Sequence, residues 1–381
     1  MFDKKTIQSF KGRRTPFYVY DMGLLRETLE SLSSGLAKYG IKAHYAIKAN
    51  AQKPVLETVV SYGLGADCVS GEEVKVALKA GFNPRDIFFA GVGKTDSEIS
   101  HALKASIGCF NVESVPELKV IDSIAGRLGL KAHVSLRINP DIDAHTHKYI
   151  STGLEENKFG ISPWEFESAV AALQSSSCVV FEGLHFHVGS QITDMSVFEL
   201  LCKRAGEIYE WFTSHGVHVS SLDLGGGLGI DYQNPDAAKI PDFEGLLKVI
   251  RENLNVPEDV QIHIEPGRSI VAQCGSLISR VVFVKEGRVK KFMILDAGMN
   301  DLIRPALYGA YHSIENLSSA EAPDTYDIVG PVCESSDVWG CGRSVSRAKR
   351  GDLIAIRSAG AYGQTMSMKY NCRKLAKAYY V

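Results

Sequence analysis

Eight short apolar runs, spaced by helix-length amphipathic stretches, constrain this 381-residue chain more than any other feature. The runs are 42–49 (KAHYAIKA), 65–70 (GADCVS), 86–91 (DIFFAG), 107–112 (IGCFNV), 131–139 (KAHVSLRIN), 181–189 (FEGLHFHVG), 221–227 (SLDLGGG) and 261–267 (QIHIEPG). In SVFELLCKRAGEIYEWFTSHG, one of the stretches between them, apolar residues recur at helical spacing and face one side. Eight strands with a helix for each are what a (β/α)8, TIM-like barrel requires. An open doubly wound sheet is the alternative, but it carries its phosphate-binding glycines after the first strand, and here they come late. Beyond about residue 273 the helical pattern stops, and SLISRVVFVKEG, VKKFMILDAG, TYDIVGP and DLIAIRSAGAYG read as strands with turns between. The sequence therefore predicts an α/β chain with a barrel over 22–273 and a C-terminal all-β domain over 274–381. PFYVYD (16–21) reads as a strand that joins the second domain, so 1–21 is assigned to it.

A barrel of this class places its active site at the C-terminal ends of its strands. That rule gathers Lys48, Asp67, His187, the run Gly225-Gly226-Gly227 and the segment Glu265-Pro266-Gly267-Arg268 into one region. An unpaired ammonium at the end of a buried strand is costly, so Lys48 either reaches water or does chemistry. The loops after strands seven and eight commonly hold phosphate, and glycines let backbone N–H groups approach it while Arg268 adds charge. A GGG alone reads as a flexible turn; GGG and EPGR on adjacent strand ends say more. A lysine amine facing a phosphate-bearing ligand points to a Schiff base with pyridoxal 5'-phosphate (PLP). Glu265 suits the pyridine nitrogen, where a carboxylate keeps the ring protonated and a good electron sink. His185 and His187 share one face of their strand. His187 is expected to stack on the cofactor ring and His185 to be a satisfied core residue. An HxH pair can instead ligate a metal, which makes a metal-dependent barrel hydrolase the distant alternative. HTH (145–147) reads as loop.

Bulk properties narrow the class further. With 45% hydrophobic and 23% charged residues and a net charge of -2, the chain offers neither nucleic acid nor a membrane an electrostatic footprint. The N-terminus MFDKKTIQSFKGRR lacks an apolar signal core, and eight cysteines without a CxxC pair read as reduced thiols of a cytoplasmic enzyme.

YAIKAN, HFHVGSQ, LDLGGGLGIDY, EPGRSIV, DAGMNDLIRPALYGAYH, VGPVCESSDV and SAGAYGQTMSMKYN, in that order, resemble the meso-diaminopimelate decarboxylase family. These are PLP decarboxylases on an alanine-racemase-like barrel, and the resemblance runs from about residue 15 to 371, including HTHKYISTGLEENKFGIS. It implies decarboxylation of meso-2,6-diaminopimelate to L-lysine and carbon dioxide, the last step of lysine biosynthesis. It implies Lys48 as the PLP lysine and His187 as the stacking residue. Ser190, Gly225 to Gly227 and Glu265 to Arg268, Gly267 included, would hold phosphate and pyridine. Arg268, Arg304, Tyr308, Glu334 and Tyr362 would contact substrate, Tyr362 also touching the cofactor. Cys333 would donate the proton after decarboxylation, reaching the site with Glu334 from the partner subunit of a homodimer. The chain departs from the pattern at YNCRKLAKAYYV, where relatives continue with Arg-Pro, which leaves the last strand's packing open. Related decarboxylases of ornithine, lysine, arginine or carboxynorspermidine are the near alternative. A regulatory PLP-binding protein is a further one, but such proteins are usually single barrels.

Overall fold

The computed structural model describes residues 2–142 and 158–381. The HTH segment lies outside the described residues, as does most of the HTHKYISTGLEENKFGIS stretch. Strand β1 (Phe17–Tyr20) precedes eight strands: β2 (Ile41–Ala46), β3 (Gly65–Cys68), β4 (Ile87–Phe89), β5 (Cys109–Val112), β6 (Ala132–Arg137), β7 (Val179–His185), β8 (Ser221–Asp223) and β9 (Gln261–Ile264). All pair in parallel with their sequence neighbours, and β9 returns to β2 to close the barrel. Seven strands follow: β10 (Gly275–Glu286), β11 (Lys291–Leu295), β12 (Ile314–Asn316), β13 (Pro323–Val329), β14 (Val338–Ser346), β15 (Leu353–Ile356) and β16 (Lys377–Tyr380).

The chain divides into two compact units. One is the barrel, Leu29–Gly229 with Asp242–Gly267; the other joins the residues up to Thr28, Ile230–Pro241 and Arg268–Val381. The sequence division, a barrel over 22–273, differs from this one in three places, since 22–28, 230–241 and 268–273 belong to the second unit.

Local chemistry explains the barrel helices. Helix Val115–Leu128 starts where Ser114 Oγ accepts from the Glu117 N–H and ends at Gly129 with φ 65°, a left-handed turn glycine adopts without steric cost. In Phe243–Asn253, capped by Asp242, the buried residues Phe243, Leu246, Leu247 and Ile250 recur at helical spacing. Ser196–Ser214 buries Phe198, Leu201, Cys202, Ala205 and Phe212 in the same way. At the β2–β9 seam, His44 Nε2 meets His263 Nδ1 at 2.9 Å while the His44 ring stacks 3.8 Å from Phe88. His44 Nδ1 lies 3.1 Å from the carbonyl of Asp86, so it carries the ring hydrogen.

In the second unit the sheet runs β12-β15-β10-β11-β13-β14. The long β10 changes partners along its length: its first half pairs with β1 and β15, and from Val281 on it pairs with β11, with a register shift between Val281 and Phe283. Strand β1 pairs with β10 antiparallel and with β16 parallel. Phe10, Phe17, Val19, Ile278, Leu353 and Ala355 form the core beneath them. Helix Lys4–Phe10 and strands β12, β14 and β16 carry no signal read from the sequence. They are short, or broken by glycine and polar residues, and their pairing partners define them. Among the described residues no helix is long and apolar enough to cross a membrane. All eight cysteines are free thiols, Cys333, Cys341 and Cys372 being exposed.

Candidate active site

Lys48 sits on a 3₁₀ turn, Ile47–Ala49, immediately past β2 rather than on the strand itself. The turn swings the side chain out of the core, leaving it 35% exposed, with Nζ 3.2 Å from Asp67 Oδ2 on β3. The question of an unpaired buried ammonium is resolved by geometry: the amine is partly wet and faces a carboxylate. Gly267 holds this turn in place. A Cβ there would lie 2.9 Å from Ala46 Cβ and 3.2 Å from Ala49 Cβ, while the Ala46 N–H donates to the Pro266 carbonyl at 3.1 Å. The residues following β9 and the lysine turn following β2 are thus stitched together.

Glu265, directly after β9, is buried. His185 Nε2 stands 3.1 Å from its Oε2, and Asn111 Nδ2 on β5 donates to Oε1 at 3.3 Å. Burial by itself raises a carboxyl, but the charge of His185, its hydrogen bond and the charge of Lys48 outweigh it, holding Glu265 well below the usual carboxylate range. Asp223, at the end of β8, behaves oppositely: burial and the charge of Glu265 push it well above that range. Burial and Glu265 also raise Asp67 against the pull of Lys48. One buried ionised carboxylate, flanked by a histidine and by Asp223, whose carboxyl is driven toward the neutral form, is a feature built for a cationic or protonated partner.

The glycines shape the same region. Gly225 takes φ 70°, its N–H donating to Asp223 Oδ1 at 2.8 Å while its carbonyl accepts from the Glu265 N–H at 2.8 Å. The Gly226 N–H donates to His187 Nδ1 at 3.2 Å. The imidazole is held by that bond, and burial together with the charges of Lys48 and Arg137 keeps it neutral. Gly227 takes φ 125° and accepts from the Ile192 N–H at 2.9 Å. Ser190, half-buried, lies on the same connection between Gly189 and Ile192.

The second unit carries the other sequence-assigned residues. Arg268, buried at the start of helix Arg268–Val271, donates from Nη1 to the Tyr232 hydroxyl at 2.7 Å and lies 4.8 Å from the ring centroid of Tyr362. Tyr362 adopts φ 55°, an uncommon conformation for a bulky residue. Arg304, also buried, opens the short helix Arg304–Tyr308, of which Tyr308 is the half-buried last residue. Its guanidinium lies 4.6 Å from the Tyr232 ring centroid, and burial with the charge of Arg268 lowers it from the ordinary arginine value. Cys333 and Glu334 are exposed; the Cys333 N–H donates to Asn371 Oδ1 at 3.2 Å and the Tyr370 hydroxyl donates to Glu334.

Asn111, Asp223 and Tyr232 carry no role read from the sequence, and neither does His312, whose Nε2 meets Arg304 Nη1 at 2.8 Å. Tyr232 and His312 lie within LDLGGGLGIDY and LIRPALYGAYH, so the signal was present but carried no role. His185, expected to be a satisfied core residue, has Nδ1 buried with no partner among the described residues and serves Glu265 through Nε2. Among the described residues, the side chains that could hold a metal are His185, Asp223 and Glu265, without His187.

The residues fit PLP. Buried polar atoms of the barrel unit, among them Asp67 Oδ1, Asn111 Oδ1 and His185 Nδ1, have no hydrogen-bond partner among the described residues, which a polar ligand at the strand ends would supply. The ionised Glu265 matches a protonated pyridine nitrogen, and Lys48 offers the amine.

Comparison with known proteins agrees. The model of the family described as pyridoxal-dependent decarboxylase, pyridoxal binding domain, matches residues 23–272. A diaminopimelate decarboxylase of Bacteroides thetaiotaomicron is 50% identical over 374 residues, covering 98% of this chain and 97% of that one. One from Neisseria meningitidis is 43% identical over 95% of this chain and 88% of its own length. The crystal structure of Helicobacter pylori diaminopimelate decarboxylase complexed with L-lysine superposes with a TM-score of 0.91 at 40% identity, covering 98% of this chain and 93% of that one.

Proposed function

We propose that this chain, which belongs to the pyridoxal-dependent decarboxylases, converts meso-2,6-diaminopimelate to L-lysine and carbon dioxide. The observation that carries the chemistry is Glu265, buried yet held ionised by His185, with Asn111 on its other oxygen and the Lys48 turn stitched to the neighbouring Pro266. Lys48 would hold the carbonyl end of PLP, His187 would lie against its ring, and Ser190 with Gly225, Gly226, Gly227, Gly267 and Arg268 would hold its phosphate. When bound, PLP supplies an electron sink for the pair left behind as carbon dioxide departs. Glu265 would keep a proton on the pyridine nitrogen. Asp67 would orient Lys48.

Diaminopimelate differs from diamine-forming substrates by its distal carboxylate, which needs cations in a dry setting. Arg268 and Arg304, both buried and framed by tyrosines, supply that chemistry, with Tyr308 and Tyr362 adding hydroxyls. Cys333 would return a proton to the carbon that lost carbon dioxide. Its exposure, with that of Glu334, suits a role across a homodimer in which both residues serve the partner subunit's site. Eight free thiols suit a reducing cytoplasm.

The test incubates the purified protein with PLP and, separately, meso-diaminopimelate, L-lysine and L-ornithine, measuring released carbon dioxide. Release from diaminopimelate alone is expected, with borohydride reduction fixing the cofactor on Lys48. Release from ornithine in preference, or a label on another lysine, would overturn the reading.

A further inference from the structure

Arg304 is 5% exposed, and its Nε is buried without a hydrogen-bond partner among the described residues. A buried guanidinium commonly faces a carboxylate. Here Nη1 instead meets His312 Nε2 at 2.8 Å. His312 Nδ1 lies 2.8 Å from the Arg357 carbonyl, which can only accept. The ring hydrogen is therefore on Nδ1, and Nε2 presents its lone pair to Arg304.

The carbonyl that sets this tautomer is itself fixed. The Arg357 N–H donates to the Ser313 carbonyl at 2.9 Å, extending the β12–β15 ladder by one residue, and the Arg357 guanidinium is ion-paired with Glu315 at 2.7 Å and Asp236 at 3.1 Å. Tyr232 completes the frame, its ring edge-on to the imidazole at 5.1 Å. We propose that His312 is a positioning residue for substrate selectivity: as a neutral acceptor tied to the sheet, it aims Arg304 at the carboxylate at the far end of the substrate. This rests on the decarboxylase reading above. A carboxylate in place of His312 would neutralise Arg304 and compete with the substrate, while an imidazolium would set N–H against N–H. Burial and the charge of Arg304 push His312 down to about 3, so the neutral form holds at ordinary pH.

Three variants of the holoenzyme test this. His312→Phe keeps ring volume without the acceptor, His312→Gln restores an acceptor near Nε2, and His312→Asn restores only a group near Nδ1. Each is titrated calorimetrically with L-lysine, which retains the carboxylate that decarboxylation leaves, and with cadaverine, which has none. For His312→Phe and His312→Asn, L-lysine binding should weaken on the order of 10- to 100-fold, the range set by one hydrogen bond to a charged group. The KM for diaminopimelate should rise in parallel with kcat nearly unchanged, because the lost contact binds substrate and transition state alike. Cadaverine binding should not move, and His312→Gln should stay near wild type. L-lysine binding unaltered in His312→Phe, or cadaverine weakened equally, would overturn the proposal; if His312→Phe fails to fold, equal behaviour of the Gln and Asn variants does so. Absence of carbon dioxide release by the wild type would instead fault the decarboxylase reading, while the L-lysine titration still reports on His312.

Discussion

Replacing Gly226 by alanine tests whether the glycine turn holds Glu265 in register. The added Cβ would lie 2.2 Å from the Glu265 carbonyl oxygen, 1.2 Å short of the 3.4 Å at which ordinary contact begins. The obstacle is backbone, so no side chain can rotate away. The neighbouring Gly225 carbonyl is bonded to the Glu265 N–H, and the Gly226 N–H to His187, so relief of the clash moves both residues. Overpacking of this kind costs about 1–3 kcal/mol of stability. A displacement of about 1 Å at a reacting site can cost on the order of 100-fold in rate. The assay combines urea unfolding, PLP titration by visible absorbance, and kcat at saturating PLP. Gly126→Ala is the control. Its Cβ would rest 3.5 Å from Cys178 Sγ within helix Val115–Leu128, so a gain of roughly 0.5–1 kcal/mol with unchanged activity is expected. If Gly226→Ala keeps PLP affinity and kcat within about twofold of wild type, far below the displacement cost, the turn does not position Glu265.

Arg304→Ala should reduce kcat/KM for diaminopimelate by about 1.5–3 kcal/mol, roughly 10- to 150-fold, while PLP affinity stays the same; an equal loss in binding of cadaverine, which has no carboxylate, would remove the distal carboxylate from the explanation. Mixing inactive Lys48→Ala and Cys333→Ala dimers under conditions of subunit exchange should restore roughly a quarter of wild-type activity, because half the dimers are mixed and each mixed dimer has one intact site. Exchange without recovery would mean that Cys333 serves its own chain or has no such role. Stability should fall with acid: burial holds His44 neutral down to about 4, against about 6.5 unfolded, so the unfolded chain binds the extra proton between those values. About 3 kcal/mol present above pH 6.5 is lost on approach to pH 4, and a urea midpoint that stays flat across that window would show that His44 is not held neutral.

The eight barrel strands were legible because a strand buried on both faces writes itself as a short apolar run, and an amphipathic helix as a 3.6-residue period. Both are local signals. Because barrel chemistry gathers at strand ends, Lys48, Glu265 and the glycine run could be singled out from position alone. The β unit was less readable. Strand β14 (VWGCGRSVS) holds two glycines and alternates poorly, and β16 ends the chain among charged residues, so each is a strand only by virtue of its neighbours.

What the sequence by itself determined is therefore the order and type of the barrel elements and which residues stand at their ends, since both follow from patterns within some ten to twenty residues. Tertiary structure decided the state of those residues. Glu265 stays ionised because His185 and Asn111, 80 and 154 positions away in the chain, are brought to its two oxygens. Arg304 is aimed by a histidine whose tautomer depends on the carbonyl of Arg357, 45 residues further on. A side chain's protonation and direction depend on partners and burial, and closure of the barrel and register of the sheet supply both; no local pattern in the chain encodes them.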